Sequence, residues 1–333
     1  MQKTEARSGK ILDSIANAIG NTPLVKLSKI APQSRQNILA KCEFLNPGGS
    51  VKDRIAKYMI EKAENEGRLK PGQLIVEATG GNTGIGLAMM ARLKGYRLLC
   101  VCAEKVGKEK INMQRLYGAE VLVVPGGKAI EDPAHFINQA KRIAEERGAW
   151  YVNQFNNPDN AEAHYNTTGP EIWEQTDGKV DVLVAGIGTG GTICGAGRYL
   201  KERKPSVKLV LADPQGSNLG AWLRGEEPQP ASYLVEGIGN DFVPGIVDLK
   251  KIDHAVYVND RESINMAHDL IHKEALHVSG SAGCVVAAAL KYGEQLKESG
   301  LNIVAVLPGT GRYYLSTIFN DEWLAQKLPA IQS

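Results

Sequence analysis

The chain has 333 residues, 43% of them apolar and 23% charged, enough for two domains and a core that needs neither disulfide nor metal. Lys and Arg number 39 against 37 Asp and Glu, a net charge of +2 with no concentrated basic block, which speaks against nucleic acid as the main partner. No run approaches about 18 consecutive apolar residues, and the opening Met1–Lys10 lacks the apolar core of an export signal, so a cytoplasmic protein without a membrane span is expected.

In chain order, apolar runs predict strands at Ile38–Cys42, Leu74–Ala78, Leu98–Cys102, Glu120–Val124, Val182–Ile187, Leu209–Ala212, His254–Val258 and Ile303–Leu307. Most are near-continuous in Val, Leu and Ile, as strands buried on both faces are. Helical patterns lie between them. In Val51–Gly67 the apolar Val51, Ile55, Tyr58, Met59 and Ala63 recur on one helical face. The alternation predicts an α/β fold of mostly parallel, twisted sheets flanked by helices. Two sheets are expected, one from the strands between about 74 and 124 and one from 182 onward.

Glycine is abundant, 36 residues against 5 Phe and 4 Trp, and it gathers in short strings at strand ends, where such folds bind ligands. The first string, Asn46-Pro47-Gly48-Gly49-Ser50-Val51-Lys52-Asp53-Arg54, reads as a tight turn into a helix capped by Ser50, with Asp53 completing an approximate capping box. Lys52 then lies in the first helical turn, where the dipole disfavours a cation. A buried lysine there would have the lowered pKa that a Schiff-base lysine needs. The second string, Thr79-Gly80-Gly81-Asn82-Thr83-Gly84, precedes a helix expected near Ile85 and reads equally as a carboxylate cradle or as a plain turn. The third, Gly186-Ile187-Gly188-Thr189-Gly190-Gly191-Thr192, is an anion nest. It also satisfies Gly-x-Gly-x-x-Gly, with Asp213 about twenty residues on, so a dinucleotide-binding oxidoreductase is a rival reading. The fourth, Leu307-Pro308-Gly309-Thr310-Gly311, places a hydroxyl directly after a strand.

Together the strings resemble the fold-type II pyridoxal phosphate enzymes, the tryptophan synthase β-like group, and within it the cysteine synthase and cystathionine β-synthase family. The resemblance runs from Ile19-Gly20-Asn21-Thr22-Pro23-Leu24 to about Thr317. It implies that Lys52 carries the cofactor as an internal aldimine and that Gly188, Thr189, Gly190, Gly191 and Thr192 hold its phosphate. It implies further that Asn82 meets the ring's phenolic oxygen and Thr310 the pyridine nitrogen. Thr79, Gly80, Asn82, Thr83, Gln154 and Gly239 would line the substrate site. The implied reaction is β-replacement on serine, O-acetylserine or cysteine by a thiol or sulfide, through an aminoacrylate, with Lys52 as the base for the α-proton. A smaller, mobile domain over 46–155 is implied, with 10–45 plus 156–325 forming the cofactor phosphate-binding domain, and a homodimer is expected.

Val235-Glu236-Gly237-Ile238-Gly239-Asn240-Asp241-Phe242-Val243-Pro244 is similar to the cystathionine β-synthase branch. Asp241 is the acid that would bind a second amino acid's ammonium or assist a hydroxyl or water. Cysteine synthase and a cysteine or serine β-lyase stay open as alternatives. Three features depart from the family pattern: Gly80 replaces a usual Ser, His277 and Val278 precede Ser279 where small residues are common, and Gly309-Thr310 replaces the Asp-Ser common in the cystathionine branch. The chain ends near the catalytic domain and has a short N-terminus, so regulation by haem or adenosylmethionine is not expected.

The five cysteines, Cys42, Cys100, Cys102, Cys194 and Cys284, lack zinc-ligand spacing and read as buried thiols in a reducing compartment. His268 and His272 read as one solvated helix face rather than a metal pair. The run from Glu104-Lys105 to Lys108-Glu109-Lys110 reads as a solvated helix start, and the loop after Cys102 is expected to move over the substrate by analogy with the family.

Overall fold

A computed structural model describes residues 11–328. The Met1–Lys10 segment, including the first residue of the expected larger domain, lies outside the described residues. Ten strands are described: β1 (Leu24–Lys26), β2 (Asn37–Cys42), β3 (Leu74–Ala78), β4 (Arg97–Ala103), β5 (Glu120–Val124), β6 (Trp150–Tyr151), β7 (Val182–Ala185), β8 (Lys208–Pro214), β9 (His254–Val258) and β10 (Asn302–Leu307). The helices are α1 (Lys52–Asn65), α2 (Asn82–Lys94), α3 (Lys108–Leu116), α4 (Phe136–Glu146), α5 (Asp159–Asn166), α6 (Thr168–Gln175), α7 (Gly191–Arg203), α8 (Leu219–Arg224), α9 (Asp260–Glu274), α10 (Gly280–Gln295) and α11 (Asp321–Lys327).

They form a six-stranded sheet in the order β1-β2-β10-β7-β8-β9 and a four-stranded sheet in the order β5-β4-β3-β6. Every pairing is parallel except β1 with β2. All eight expected strands are present, and the expected two-sheet, helix-flanked α/β architecture holds. β1 and β6, three and two residues long, are edge strands that carry too few residues for a periodic signal. The expected strand at 182–187 stops at Ala185 because Gly186 already turns out of the sheet, packed against Ile238. We propose that the two sheets are the two domains, divided at 46–155 as the motifs imply.

The sheet order places the glycine strings. β2, β10 and β7 are neighbours, and all three run the same way. The loops leaving their carboxyl ends therefore emerge side by side: Asn46–Ser50, Pro308–Thr310 and Gly186–Gly190. The Thr79–Gly81 loop leaves β3 of the other sheet. α1 joins the two: it begins at the loop from β2, and its Ile55, Ala56, Met59, Ile60 and Ala63 pack with Leu87, Ala88 and Met90 of α2.

α1 is held by buried charge. Arg54 donates from Nε and Nη2 to the Glu43 carboxylate (2.7 and 2.8 Å) and from Nη1 and Nη2 to Glu171 (both 2.7 Å). Lys41 Nζ lies 2.6 Å from Glu171 Oε2 and 2.7 Å from the Thr22 carbonyl. All four charged side chains are buried. Burial opposes the Glu43 charge, but Arg54 and Lys41 hold its carboxyl down at about 2. Replacing Arg54 by Met leaves two buried carboxylates with one cation. The expected loss is about 3–5 kcal/mol of unfolding free energy by urea titration. Arg142→Met, at the exposed Arg142–Glu146 pair, is expected to cost less than about 0.5 kcal/mol.

Candidate active site

The first and fourth strings are laced together by their backbones. Val51 N–H donates to the Pro308 carbonyl (2.8 Å) and Thr310 N–H to the Gly49 carbonyl (2.9 Å), which registers Lys52 against Thr310. Gly49 has φ +83°, and a Cβ there would stand 2.8 Å from Thr310 Cγ2, so only glycine fits. The expected capping box does not form. Ser50 Oγ does accept the Lys52 N–H (3.2 Å), but Asp53 turns inward and accepts from Gly48 N–H (2.5 Å), bracing the turn rather than capping Ser50. Lys52 is half-buried, and its Nζ has no partner among the described residues. Burial alone lowers it to about 8.

The second string is a shaped loop. Thr79 Oγ1 accepts from the N–H groups of Gly81 (3.0 Å) and Gly84 (3.1 Å), leaving its own proton free to donate. α2 starts at Asn82, earlier than the expected Ile85, because Gly81 at φ +117° makes the turn. Its first N–H groups have no intrahelical acceptor. Thr83 donates to Gln154 Oε1 (2.6 Å), and Gln154 Nε2 donates to the Ala78 carbonyl (2.7 Å), so Gln154 ties the loop down from β6's side. Gly80 differs from its neighbours. Its φ is ordinary, and a Cβ there would meet nothing within 4 Å. Asn82 reaches toward Gly309, and its Oδ1 is buried without a partner.

The third string packs so closely that side chains are excluded. A Cβ at Gly188 would lie 2.4 Å from the Gly237 carbonyl, at Gly190 (φ +89°) 2.1 Å from Val247, and at Gly191 1.9 Å from Asn160. α7 begins here with no side-chain cap and no acid in its first turn. Thr189 Oγ1 accepts from Asn160 Nδ2 (3.0 Å), and Thr192 Oγ1 lies 3.3 Å from His164 Nε2. Burial first, and Arg54 second, lower His164 to about 3, so its ring is neutral. The nest thus offers N–H groups, a helix dipole and hydroxyls without a cation. That donor set fits a phosphate ester. The Asn82 Nδ2 group, which has no acceptor among the described residues, fits a ring oxygen, and backbone bonds from the turn before Lys52 register that residue against Thr310. The residues present fit pyridoxal phosphate.

The dinucleotide reading fails on its acid. Asp213 is buried, and its Oδ2 accepts from Gly220 N–H (2.7 Å) at the start of α8. A family described as pyridoxal-phosphate dependent enzyme matches residues 15–309. The chain belongs to the pyridoxal-phosphate dependent enzymes. Pyridoxal phosphate is accordingly its cofactor. This family member is 44% identical over 324 residues to a cystathionine beta-synthase of Rattus norvegicus, covering 96% of this chain and 58% of that protein. It is 40% identical over 309 residues to a cysteine synthase of Staphylococcus aureus, covering 92% of this chain and 97% of that one. Among solved structures, an O-acetylserine dependent cystathionine beta-synthase from Helicobacter pylori superposes with a TM-score of 0.85 at 36% identity, covering 93% of this chain and 99% of that one. An O-ureido-L-serine synthase gives the same TM-score, 0.85, and identity, 36%, covering 95% of this chain and 100% of that one.

In this pyridoxal-phosphate dependent enzyme, Gly239 is held against the foot of the glycine nest that opens α7. Its N–H donates to the Ile187 carbonyl (2.8 Å), and Asn240 Nδ2 donates to the Gly188 carbonyl (2.7 Å). Asp241 is exposed, beside Phe242, which meets Phe155 edge to face at 5.5 Å. Its charge bears on the buried His135, whose pKa burial lowers and Asp241 partly restores.

Two surface readings are corrected. Lys110 is 1% exposed rather than solvated, because Glu236 and the Tyr314 ring receive its charge. His268 is tied by Nε2 to the Ile318 carbonyl (2.7 Å) and packs near Phe319, so it is half-buried while His272 is exposed. The motifs also did not announce Asn160. It joins Gln154 to Thr189, donating to the Gln154 carbonyl at 2.8 Å, and only its place after Asn156-Asn157-Pro158 hinted at it.

The glycines give a sharp contrast. Gly80→Ser is expected to shift the melting temperature by less than about 2 °C. Gly190→Ala is expected to lower it by several degrees and to weaken cofactor retention, because Val247 blocks the new methyl. Melting scans of the holoenzymes and their visible absorption check both. In cofactor-free protein the rate of pyridoxal phosphate capture is expected to rise with pH through about 8 and then level off, as Lys52 Nζ loses its proton.

Proposed function

We propose that the enzyme performs β-replacement on a serine-type amino acid, namely serine, O-acetylserine or cysteine, with a thiol or sulfide as nucleophile, as a cystathionine β-synthase does. The observation that carries this is the Lys52 amine. It is half-buried, without a partner among the described residues and lowered to about 8, and it follows the turn whose backbone is registered against the hydroxyl-bearing loop after β10.

Bound pyridoxal phosphate supplies the electron sink that lets bonds at the substrate's α- and β-carbons break. The chain's residues do the rest. Thr79 Oγ1 and the free N–H groups opening α2 receive the substrate carboxylate, with Gly80 giving it access, Gln154 fixing Thr83, and Gly239 shaping the floor. Lys52 Nζ removes the α-proton, its lowered pKa matching a base that works near neutrality. Thr310 Oγ1 accepts from Arg312 N–H (3.3 Å) and keeps its own proton for the pyridine nitrogen. A hydroxyl does not keep that nitrogen protonated, which favours prompt elimination over a long-lived carbanion. Asp241, at the edge of the site, binds the ammonium of the second amino acid. The similar cystathionine beta-synthases support this reading of the nucleophile.

Cysteine synthase activity is the second reading, favoured by the near full-length match to the Staphylococcus aureus enzyme. We also propose a homodimer in the cytoplasm. The apolar Leu116, 78% exposed, supports a partner, and the free state of the five cysteines supports a reducing compartment. Among the described residues no helix is long and apolar enough to cross a membrane.

The test is a titration of the holoenzyme's visible absorption with serine, O-acetylserine and cysteine, each followed by homocysteine or sulfide. A new band raised by serine or cysteine and discharged by homocysteine supports the cystathionine reading. A band raised only by O-acetylserine and discharged only by sulfide replaces it with cysteine synthase. Lys52→Ala is expected to abolish turnover, by a factor of about 10³ or more.

A further inference from the structure

α3 crosses from the four-stranded sheet to the loops of the six-stranded sheet, and Lys110 is its crossing point. The side chain is 1% exposed. Its stem runs under the substrate loop so closely that a Cβ at Gly81 would lie 2.5 Å from Lys110 Cδ. Its Nζ pairs with Glu236 and stands 4.3 Å from the centre of the Tyr314 ring. One turn later, Gln114 Nε2 donates to the Gly81 carbonyl (3.3 Å), and just before Lys110, Glu109 accepts from Ser316.

The partners on the far side lead back to the cofactor site. Glu236 precedes Gly237, whose carbonyl abuts Gly188 of the phosphate nest. Tyr314 closes the short turn that begins at Thr310 and Gly311, and its neighbour Tyr313 donates to the Gly48 carbonyl (3.0 Å). One buried ammonium therefore sets the distance between the loop proposed to take the substrate carboxylate and the loops that hold phosphate and ring.

We propose that Lys110, paired with Glu236 beneath Tyr314, is a positioning residue that holds the Thr79–Asn82 loop at its working distance from the phosphate nest and so sets affinity for the amino-acid substrate. The proposal rests on the functional reading above. Lys110 touches neither substrate nor cofactor. Displacement of a binding loop by about 1 Å is enough to cost a large factor, and a buried charge that loses its partner forces the surrounding loops to rearrange.

The experiment compares Lys110→Met, Glu236→Gln and the double variant, as holoenzymes. Apparent Kd for serine, O-acetylserine and cysteine is read from the visible absorption, and kcat is read at saturation. Each single variant is expected to raise the amino-acid Kd by about tenfold or more. Cofactor content and the resting spectrum stay unchanged, and kcat stays within about threefold. Because the pair acts as a unit, the double variant is expected to be no worse than the worse single one, within about twofold. Lys110→Arg, which keeps the charge, is expected to recover part of the affinity. Unchanged Kd in both singles overturns the proposal. So do penalties that multiply in the double, or a Kd loss matched by equal loss of cofactor. If Lys110→Met does not fold, Glu236→Gln, at a half-exposed residue, decides by the same criteria. A wild-type holoenzyme that responds to none of the three amino acids instead overturns the functional reading, and this proposal with it.

Discussion

Arg54 is the residue on which the rest of the site is hung. It follows Lys52 by two positions in α1 and meets two carboxylates from different parts of the chain, Glu43 after β2 and Glu171 in α6. Lys41 makes the cluster neutral. The segment Gly20–Thr22 is strapped over it: Gly20 N–H donates to Asn46 Oδ1 (2.8 Å), and Asn21 N–H to Glu171 Oε1 (2.9 Å). A buried ionic cluster of this kind is weak evidence for stability, because desolvation offsets most of the attraction. Its geometric demand is strong. Every partner has to arrive at the right place before any charge is satisfied, so the start of α1, and Lys52 with it, has one position.

Above this charged base the site floor is uncharged. His164 is neutral, and Thr189, Thr192, Asn160, Asn82 and Gln154 present dipoles rather than ions. Lys52 is the exception, an amine whose only influence is desolvation. The contrast between the two lysines explains their use. Lys41 is surrounded by carboxylates and carbonyls and serves as a fixed cation. Lys52 has none, which suits the aldimine and base roles proposed for it.

The strands were legible because strands buried on both faces carry runs of Val, Leu and Ile, and parallel order followed from their alternation with helices. The glycine strings were legible because close backbone approach admits one residue type, as the contacts at Gly188, Gly190 and Gly191 demonstrate. What escaped depends on partners far away in sequence. Lys110 lies 126 residues from Glu236, and no local pattern distinguishes it from an exposed lysine at a helix start. Asp53 is the local exception: it fits a capping rule, yet it accepts from Gly48 N–H, five residues back. His268 sits at helical spacing from His272, but a carbonyl 50 residues on takes its ring. Local rules gave the elements and the glycine-rich turns, whereas the buried charges were settled by packing.

The phosphate nest has a consequence for ionic conditions. Anion sites built on lysine or arginine weaken as salt screens the pairing, with a Debye length of about 8 Å at physiological ionic strength. The Gly186–Thr192 nest proposed to take the cofactor phosphate offers instead backbone N–H groups and the dipole of α7, packed against Val247, Asn160 and Gly237. Mobile ions have little room to intervene. On that proposal cofactor retention is expected to depend little on salt concentration, while a step that used the exposed Asp241 would be salt-sensitive.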